Sequence, residues 1–365
     1  MKPLIFTEEQ DLLRQTARKF LDARSAPERV RELMDTGTGF AQDDWNEVAA
    51  MGWQAMAIPE EYGGAGYGWV EQSVLFEEHG RALFCAPYLS TVVLGASAVE
   101  LAGSEEQRAE LLGGVASGQR RLAVTAPADG VVGGAPVEVR GGALYGTARF
   151  VLDGHTADTL VVHAGTGGDE SLYLVDGDAD GLTREPMDVM DLTRKQATIT
   201  LDGTQPSGRL EGAPARDVLE AVVTRAAVLL ACESAGLSQR VLEMGVEYAR
   251  TRKQFGRAIG SFQAIKHGLA DVLVGTESAK SAAYHAARVL QEGDGEELAI
   301  AAPMAKARAT QVAYEAAAYN IQVHGGIGFT WEHDAHLYFK RAKGAQLLFG
   351  VPSAWRARLA DAVGF

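Results

Sequence analysis

Apolar residues recur at helical spacing along the first third of the chain, fall into short β-rich runs through the middle, and return to long helical stretches from about residue 213. Thr7 followed by Gln10 forms a capping-box pattern, with Leu12, Leu13, Ala17, Phe20 and Leu21 repeating behind it. The same spacing predicts helices over Trp45 to Met51, Val70 to Leu83, Ser90 to Leu101 and Glu105 to Ala116. Ile58 to Gly66 is too rich in Gly and Pro for a helix and reads as an ordered loop.

After Arg121 the texture changes. Leu122 to Thr125, Val137 to Val139, Leu144 to Leu152, Thr159 to His163, Ser171 to Val175 and Ala197 to Leu201 read as strands separated by Gly and Asp, and Gly141-Gly142 signals a hairpin. Val218 to Arg250, Phe262 to Leu290 and Leu298 to His324 then read as long helices. Their broad alanine-rich faces predict a bundle that buries more than one side, and therefore an oligomer. The expected class is α+β: an N-terminal helical domain over 1–119, a middle antiparallel β-barrel-like domain over 120–212, and a C-terminal helical bundle over 213–365.

Charge narrows the ligand question. The formal net charge is -14 and the pI about 5.1, which argues against nucleic acid as a partner, because phosphate backbones are held by clustered Lys and Arg. An anionic ligand must be met by a local basic group. Cys85 and Cys232 both fall in apolar helical patterns and read as buried free thiols of a reducing compartment. Met1 to Phe6 lack a long apolar core, and no run approaches the roughly 18 apolar residues of a membrane span. A soluble cytoplasmic protein without membrane or metal partners is expected.

Two segments carry candidate chemistry. Arg250-Thr251-Arg252-Lys253-Gln254-Phe255-Gly256, followed by Ile259-Gly260 and Phe262-Gln263, offers a guanidinium for a pyrophosphate, an aromatic ring, and a glycine that permits close approach. Gln322-Val323-His324-Gly325-Gly326-Ile327-Gly328-Phe329 adds an amide and a glycine turn able to face phosphate or ribose oxygens. Taken singly, Arg250, Arg252, Lys253 and Arg257 read as a solvated basic cluster and Gly325-Gly326 as a helix C-cap. His324 reads as a turn or packing residue.

Together with Pro59-Glu60-Glu61-Tyr62-Gly63-Gly64 and the order of helices, β domain and bundle, these segments resemble the acyl-CoA dehydrogenase superfamily over nearly the whole chain. The resemblance implies a four-helix C-terminal bundle, an FAD cofactor, an acyl-CoA substrate and an electron-transferring flavoprotein as acceptor. It also implies that Arg252, Phe255, Gln263, Gln322, Gly325 and Gly326 reach across a subunit interface to the ADP half of a partner's FAD.

The elements that hold flavin within one subunit depart from the family pattern. Thr125-Ala126-Pro127-Ala128-Asp129-Gly130-Val131 stands where the family has a Thr-Glu-Pro-Gly-Ala-Gly-Ser-Asp loop. Phe150-Val151-Leu152-Asp153-Gly154 stands for Trp-Ile-Thr-Asn-Gly. Thr125 and Phe150 remain as cofactor or substrate candidates, whereas Leu152 cannot hydrogen-bond flavin N5.

Removing the α-proton of a thioester needs a titratable base, and Phe349 occupies the usual base position. The alternative family position falls at Ala226. Glu233, further along that helix and flanked by Ala231, Cys232 and Ala235, is the remaining candidate, with helix packing or an interface salt bridge as its competing role; Glu243 and Glu247 lie beyond it.

The expected function is a subunit of a heteromeric acyl-CoA dehydrogenase that supports FAD-dependent α,β-desaturation through trans contacts, with a bulky or steroid-derived acyl group as the substrate class. Two alternatives stand beside it. One is a homotetrameric dehydrogenase using Glu233; the other is a flavin-free scaffold or thioester-binding protein.

Overall fold

A computed structural model describes residues 6–127, 129–131, 134–166 and 169–365; Ala128 of the loop discussed above, and Met1 to Ile5, lie outside them. The first helices are α1 (Glu8–Arg24), α2 (Pro27–Met34), α3 (Gln42–Ala50) and α4 (Trp69–Ala82). A π-helical stretch, Leu89–Gly95, leads into α5 (Ala96–Ala102), and α6 (Glu105–Ala116) follows. Eight strands come next: β1 (Leu122–Val124), β2 (Val137–Arg140), β3 (Ala143–Leu152), β4 (Thr159–Thr166), β5 (Asp169–Asp176), β6 (Leu182–Pro186), β7 (Gln196–Thr204) and β8 (Gly208–Leu210). The C-terminal part holds α7 (Ala215–Thr251), a small hairpin of β9 (Lys253–Gln254) and β10 (Arg257–Ala258), α8 (Gln263–Glu292), α9 (Gly295–His324), α10 (Ala335–Leu347) and α11 (Pro352–Ala362).

Packing groups the chain into two compact units that cut across its order: Met1–Val30 with Trp69–Phe84 and Ala227–Phe365, and Arg31–Gly68 with Cys85–Ala226. In the first, α1 is pinned to α4 by charge. Arg18 grips the buried Glu78 through two hydrogen bonds of 2.9 and 2.7 Å, and Arg14 reaches Glu77 at 3.0 Å. Helices α4 and α7 cross backbone to backbone through a reciprocal pair of glycines. A Cβ at Gly80 would stand 1.9 Å from the Glu233 carbonyl oxygen, and one at Gly236 would stand 1.9 Å from that of Glu77. The fully buried Lys306 ties α9 to α10 by donating to the Ala345 carbonyl at 2.7 Å.

In the second unit the sheet runs β6-β7-β3-β2-β4-β5-β8, with β1 also on β4. Its pairs are antiparallel except at β4, which β1 and β2 join in parallel. Gly141 and Gly142 close the β2–β3 hairpin with φ of 58° and 87°, the two positive values that a type I′ turn requires. Val137, Leu144, Val151, Leu160, Val162 and Ile199 are among the residues that fill its core. The π-helical stretch lies against β1, where the Thr91 hydroxyl both donates to the Leu122 carbonyl and accepts from its N–H, each at 3.2 Å. Gly95 permits that approach, since a Cβ there would meet the Leu122 side chain at 2.2 Å.

The capping box at Thr7 and Gln10 is formed on both sides, and both cysteines are buried and outside any disulfide. The elements that periodicity did not predict include α2, the half-exposed edge strand β6 that ends on Pro186, the three-residue β8, the β9–β10 hairpin, α10 and α11.

Candidate functional site

The segments singled out for nucleotide contact lie at one end of the helical unit, where α7 ends, α8 begins and α9 ends. Arg252 follows the last turn of α7, its N–H donating to the Tyr248 carbonyl at 2.8 Å and its carbonyl accepting from Ile259 at 2.8 Å. Its side chain is exposed and, like that of Lys253, makes no hydrogen bond or ion pair among the described residues. In a chain of net charge -14, unpaired cations side by side are available to an anion.

Gln254 pairs with Arg257 across β9 and β10, leaving Phe255 and Gly256 as the two turn residues at φ 51° and 78°. A type I′ turn places both in the left-handed region, which a phenylalanine occupies only under strain. The result is a ring that is 91% exposed. It stands edge-on to Phe262 at 6.2 Å, and the Arg257 guanidinium covers the Phe262 ring at 4.1 Å. Gln263 opens α8 with its side chain exposed.

Helix α9 stops at His324 because Gly325 takes φ 63° and ψ -141°. Gln322, Gly325 and Gly326 are exposed, and nothing lies within 4 Å of where a Cβ on either glycine would stand, so the turn faces open space. The α8 and α9 termini are held together by Tyr319, whose hydroxyl donates to the Ala264 carbonyl at 3.1 Å. Desolvation first, and Asp271 second, raise the Tyr319 pKa and keep that donor protonated. Gly268 makes room for it, since a Cβ there would lie 2.0 Å from the Tyr319 oxygen.

Two aromatic residues beside this turn are exposed, Phe329, which closes the candidate segment, at 83% and Trp331, which sequence reasoning missed, at 66%. The Lys340 ammonium sits 4.0 Å from the Trp331 ring centroid and His336 meets it edge-on. Their position directly after a glycine turn was the available signal; their exposure follows only from the fold.

The positions that the family resemblance assigns to chemistry lie elsewhere in the sequence. Thr125, buried in the sheet unit, continues the β1–β4 ladder by donating to Val161 at 3.0 Å, and its hydroxyl accepts from the His163 N–H at 2.8 Å. The His163 ring is buried too, with Nε2 3.0 Å from Glu170. Burial lowers its pKa, and the opposing pull of Glu170 does not overcome it.

Phe150 sits where β3 bulges against β7, at φ 60° and 45% exposed, with the Arg149 guanidinium 5.7 Å from its ring. Leu152 is buried, and Asp153, at φ 52°, accepts from the Ser90 hydroxyl at 2.6 Å.

In the helical unit Phe349 is 3% exposed at φ 57°, with its carbonyl accepting from the Trp355 indole at 2.8 Å. Its neighbours Leu347, Leu348, Gly350 and Val351 carry no titratable group. Ala226 is fully buried.

Glu233 is buried against Arg341, Oε1 lying 3.5 Å from Nε, and Arg341 also donates to the Phe84 carbonyl at 2.8 Å. Glu243 is gripped by Arg81 through bonds of 3.1 and 2.8 Å. Burial works to raise the Glu243 pKa, but those hydrogen bonds outweigh it and hold the carboxyl below its ordinary range.

Helices, sheet and bundle in this order define the acyl-CoA dehydrogenase fold. The chain belongs to the acyl-CoA dehydrogenase family, matching its N-terminal domain over residues 7–119 and its C-terminal domain over residues 216–364. It is 32% identical to the acyl-CoA dehydrogenase IpdE2 of Mycolicibacterium smegmatis, over 97% of this chain and 98% of that protein. Among solved structures it is similar to the ChsE4-ChsE5 complex of Mycobacterium tuberculosis, at 30% identity, TM-score 0.88 and 98% coverage of both chains. It is also similar to the Tcur3481-Tcur3483 steroid ACAD, at 31% identity, TM-score 0.87 and 98% coverage of both. No helix among the described residues is long and apolar enough to cross a membrane.

Proposed function

We propose that this chain is the non-catalytic subunit of a heteromeric acyl-CoA dehydrogenase, contributing contacts to FAD held mainly by a partner subunit that carries the base. The observation that carries the reading is the contrast between its two sets of family positions. Arg252, Phe255, Gln263, Gln322, Gly325 and Gly326 are all solvent-facing at one end of the bundle. Leu152 and Phe349 are buried, and the Thr125 hydroxyl is engaged by backbone.

Flavin, when bound, supplies the acceptor for the β-hydride of an acyl thioester. The work left to this chain is binding. Arg252 would neutralise a diphosphate, Phe255 would cover an aromatic or ribose face, and Gln322 with the Gly325-Gly326 turn would meet polar oxygens. The three-part division at 1–119, 120–212 and 213–365 fits this role, with the trans contacts confined to the last part.

Two of the similar structures are named as two-component complexes, and one as a steroid enzyme. This supports an acyl-CoA dehydrogenase partner and a bulky, steroid-derived acyl-CoA substrate; an electron-transferring flavoprotein, named in another similar structure at 25% identity, is the acceptor this reading expects. The pairing of Glu233 with Arg341 supports a packing role for that carboxylate rather than a relocated base.

Arg252→Ala in the assembled enzyme tests the reading. Loss of one charge-assisted contact of about 1.5–3 kcal/mol predicts a ten- to hundredfold weaker FAD affinity, roughly, with the melting temperature unchanged. Unaltered FAD affinity would exclude the trans role.

A further inference from the structure

Three aromatic rings lie in sequence behind the exposed edge. The His324 ring is 4.3 Å from that of Tyr248 on α7, at an interplanar angle of 31°, and 4.3 Å from that of His333 on its other contact, at 49°. His324 is buried, and its Nδ1 donates to the Asn320 carbonyl at 2.8 Å, which fixes the ring relative to the last turn of α9. Gly328 folds back over it, since a Cβ there would lie 2.9 Å from the His324 Cβ.

Each ring belongs to a different structural lead. Tyr248 supplies the carbonyl that receives the Arg252 N–H at 2.8 Å. His324 sits between Gln322 and Gly325 in sequence. His333 accepts the Ala335 N–H at 3.1 Å and so caps the start of α10. The middle ring thus joins the arginine segment to the glycine turn.

We infer that His324 is a positioning residue that couples Arg252 to the Gln322-to-Gly326 turn, so that two segments separated by α8 and α9 grip a nucleotide diphosphate as one clamp. The inference rests on the trans role proposed above. Contacts of this kind lose most of their strength when donors shift by a fraction of an ångström, and the Tyr248–His324 pair is one contact by which α7 and α9 meet at this end. His324 itself is not exposed to the nucleotide.

The test is FAD titration of the assembly that the chain forms with its acyl-CoA dehydrogenase partner, comparing wild type with His324→Ala, His324→Phe, Arg252→Ala and the His324→Ala/Arg252→Ala double variant. His324→Ala should weaken FAD roughly tenfold, and His324→Phe, which keeps a ring in the stack, should recover most of it. The double variant should lose little more than Arg252→Ala alone, because a residue acting through Arg252 has no effect once Arg252 is gone.

If Arg252→Ala weakens FAD while His324→Ala does not, or if the two losses add in full, the coupling is refuted and the trans role stands. If neither variant, nor a wild-type assembly, shows FAD binding through this edge, the trans role itself has failed. Should His324→Ala not fold, the Phe variant decides alone: wild-type affinity supports the ring stack, and a loss equal to that of Arg252→Ala overturns it.

Discussion

Phe255 and Phe349 share a local backbone, with φ of 51° and 57°, and each is followed by a glycine at positive φ. Yet the first is 91% exposed and the second 3%. A bulky side chain in the left-handed region is strained in both places, so something must hold each one there. At Phe255 it is a type I′ hairpin whose geometry serves to project the ring outward. At Phe349 it is the core itself, reinforced by the Trp355 indole on its carbonyl. Strain at an exposed aromatic points to a ligand or partner, whereas strain at a buried one is compensated by packing. On the proposed reading, the second stands where the family resemblance puts the base.

That contrast can be broken most easily by truncating both rings. Phe349→Ala should cost about 3–5 kcal/mol of stability, as for other large core deletions, whereas Phe255→Ala should stay within about 0.5 kcal/mol. Denaturant unfolding of the two variants measures this, and equal losses would erase the distinction.

A second cut falls on Glu233. Removing one partner of a buried ion pair leaves the other charge stranded, so Glu233→Gln should destabilise by about 3 kcal/mol. Replacing Glu233 and Arg341 together with apolar residues should recover most of that. A Glu233→Gln variant of normal stability and no turnover would instead return this carboxylate to catalysis.

Phe255→Ala should still matter for the cofactor. Stacking on a nucleotide base is worth about 1–3 kcal/mol, so FAD affinity in the assembly should fall while the melting temperature holds, as read by flavin fluorescence and thermal unfolding side by side.

The smallest effect concerns the sheet unit. His163 has a folded pKa below its unfolded value, with burial as the main cause. Its contribution to stability is therefore complete above the unfolded pKa of about 6.5 and is lost as pH falls through the lower folded value. A pH series of melting temperatures should show that decline, and His163→Gln should flatten part of it.

Much of this was legible in the sequence because periodicity and turn chemistry are local. The long helices, the capping box at Thr7 and the Gly141-Gly142 hairpin follow from residue spacing alone. The parallel pairing of β1 and β2 with β4 was not legible, since it depends on which distant strand each one meets. The candidate site divides the same way. Arg252, Phe255 and the glycine turn were picked out by residue type only in combination with the family resemblance. The stack of Tyr248, His324 and His333 joins α7 to the end of α9 and the segment that follows it, and the fold brings the Tyr248 and His333 rings each within 4.3 Å of the His324 ring.

The division of labour between an outward nucleotide edge and a filled catalytic position is tested most directly by the flavin absorbance of the purified chain at about 450 nm, first alone and then co-expressed with its acyl-CoA dehydrogenase partner. The account predicts a colourless or substoichiometric chain that becomes part of a yellow, active enzyme with the partner. Stoichiometric, tightly held FAD and dehydrogenation by the isolated chain would contradict it.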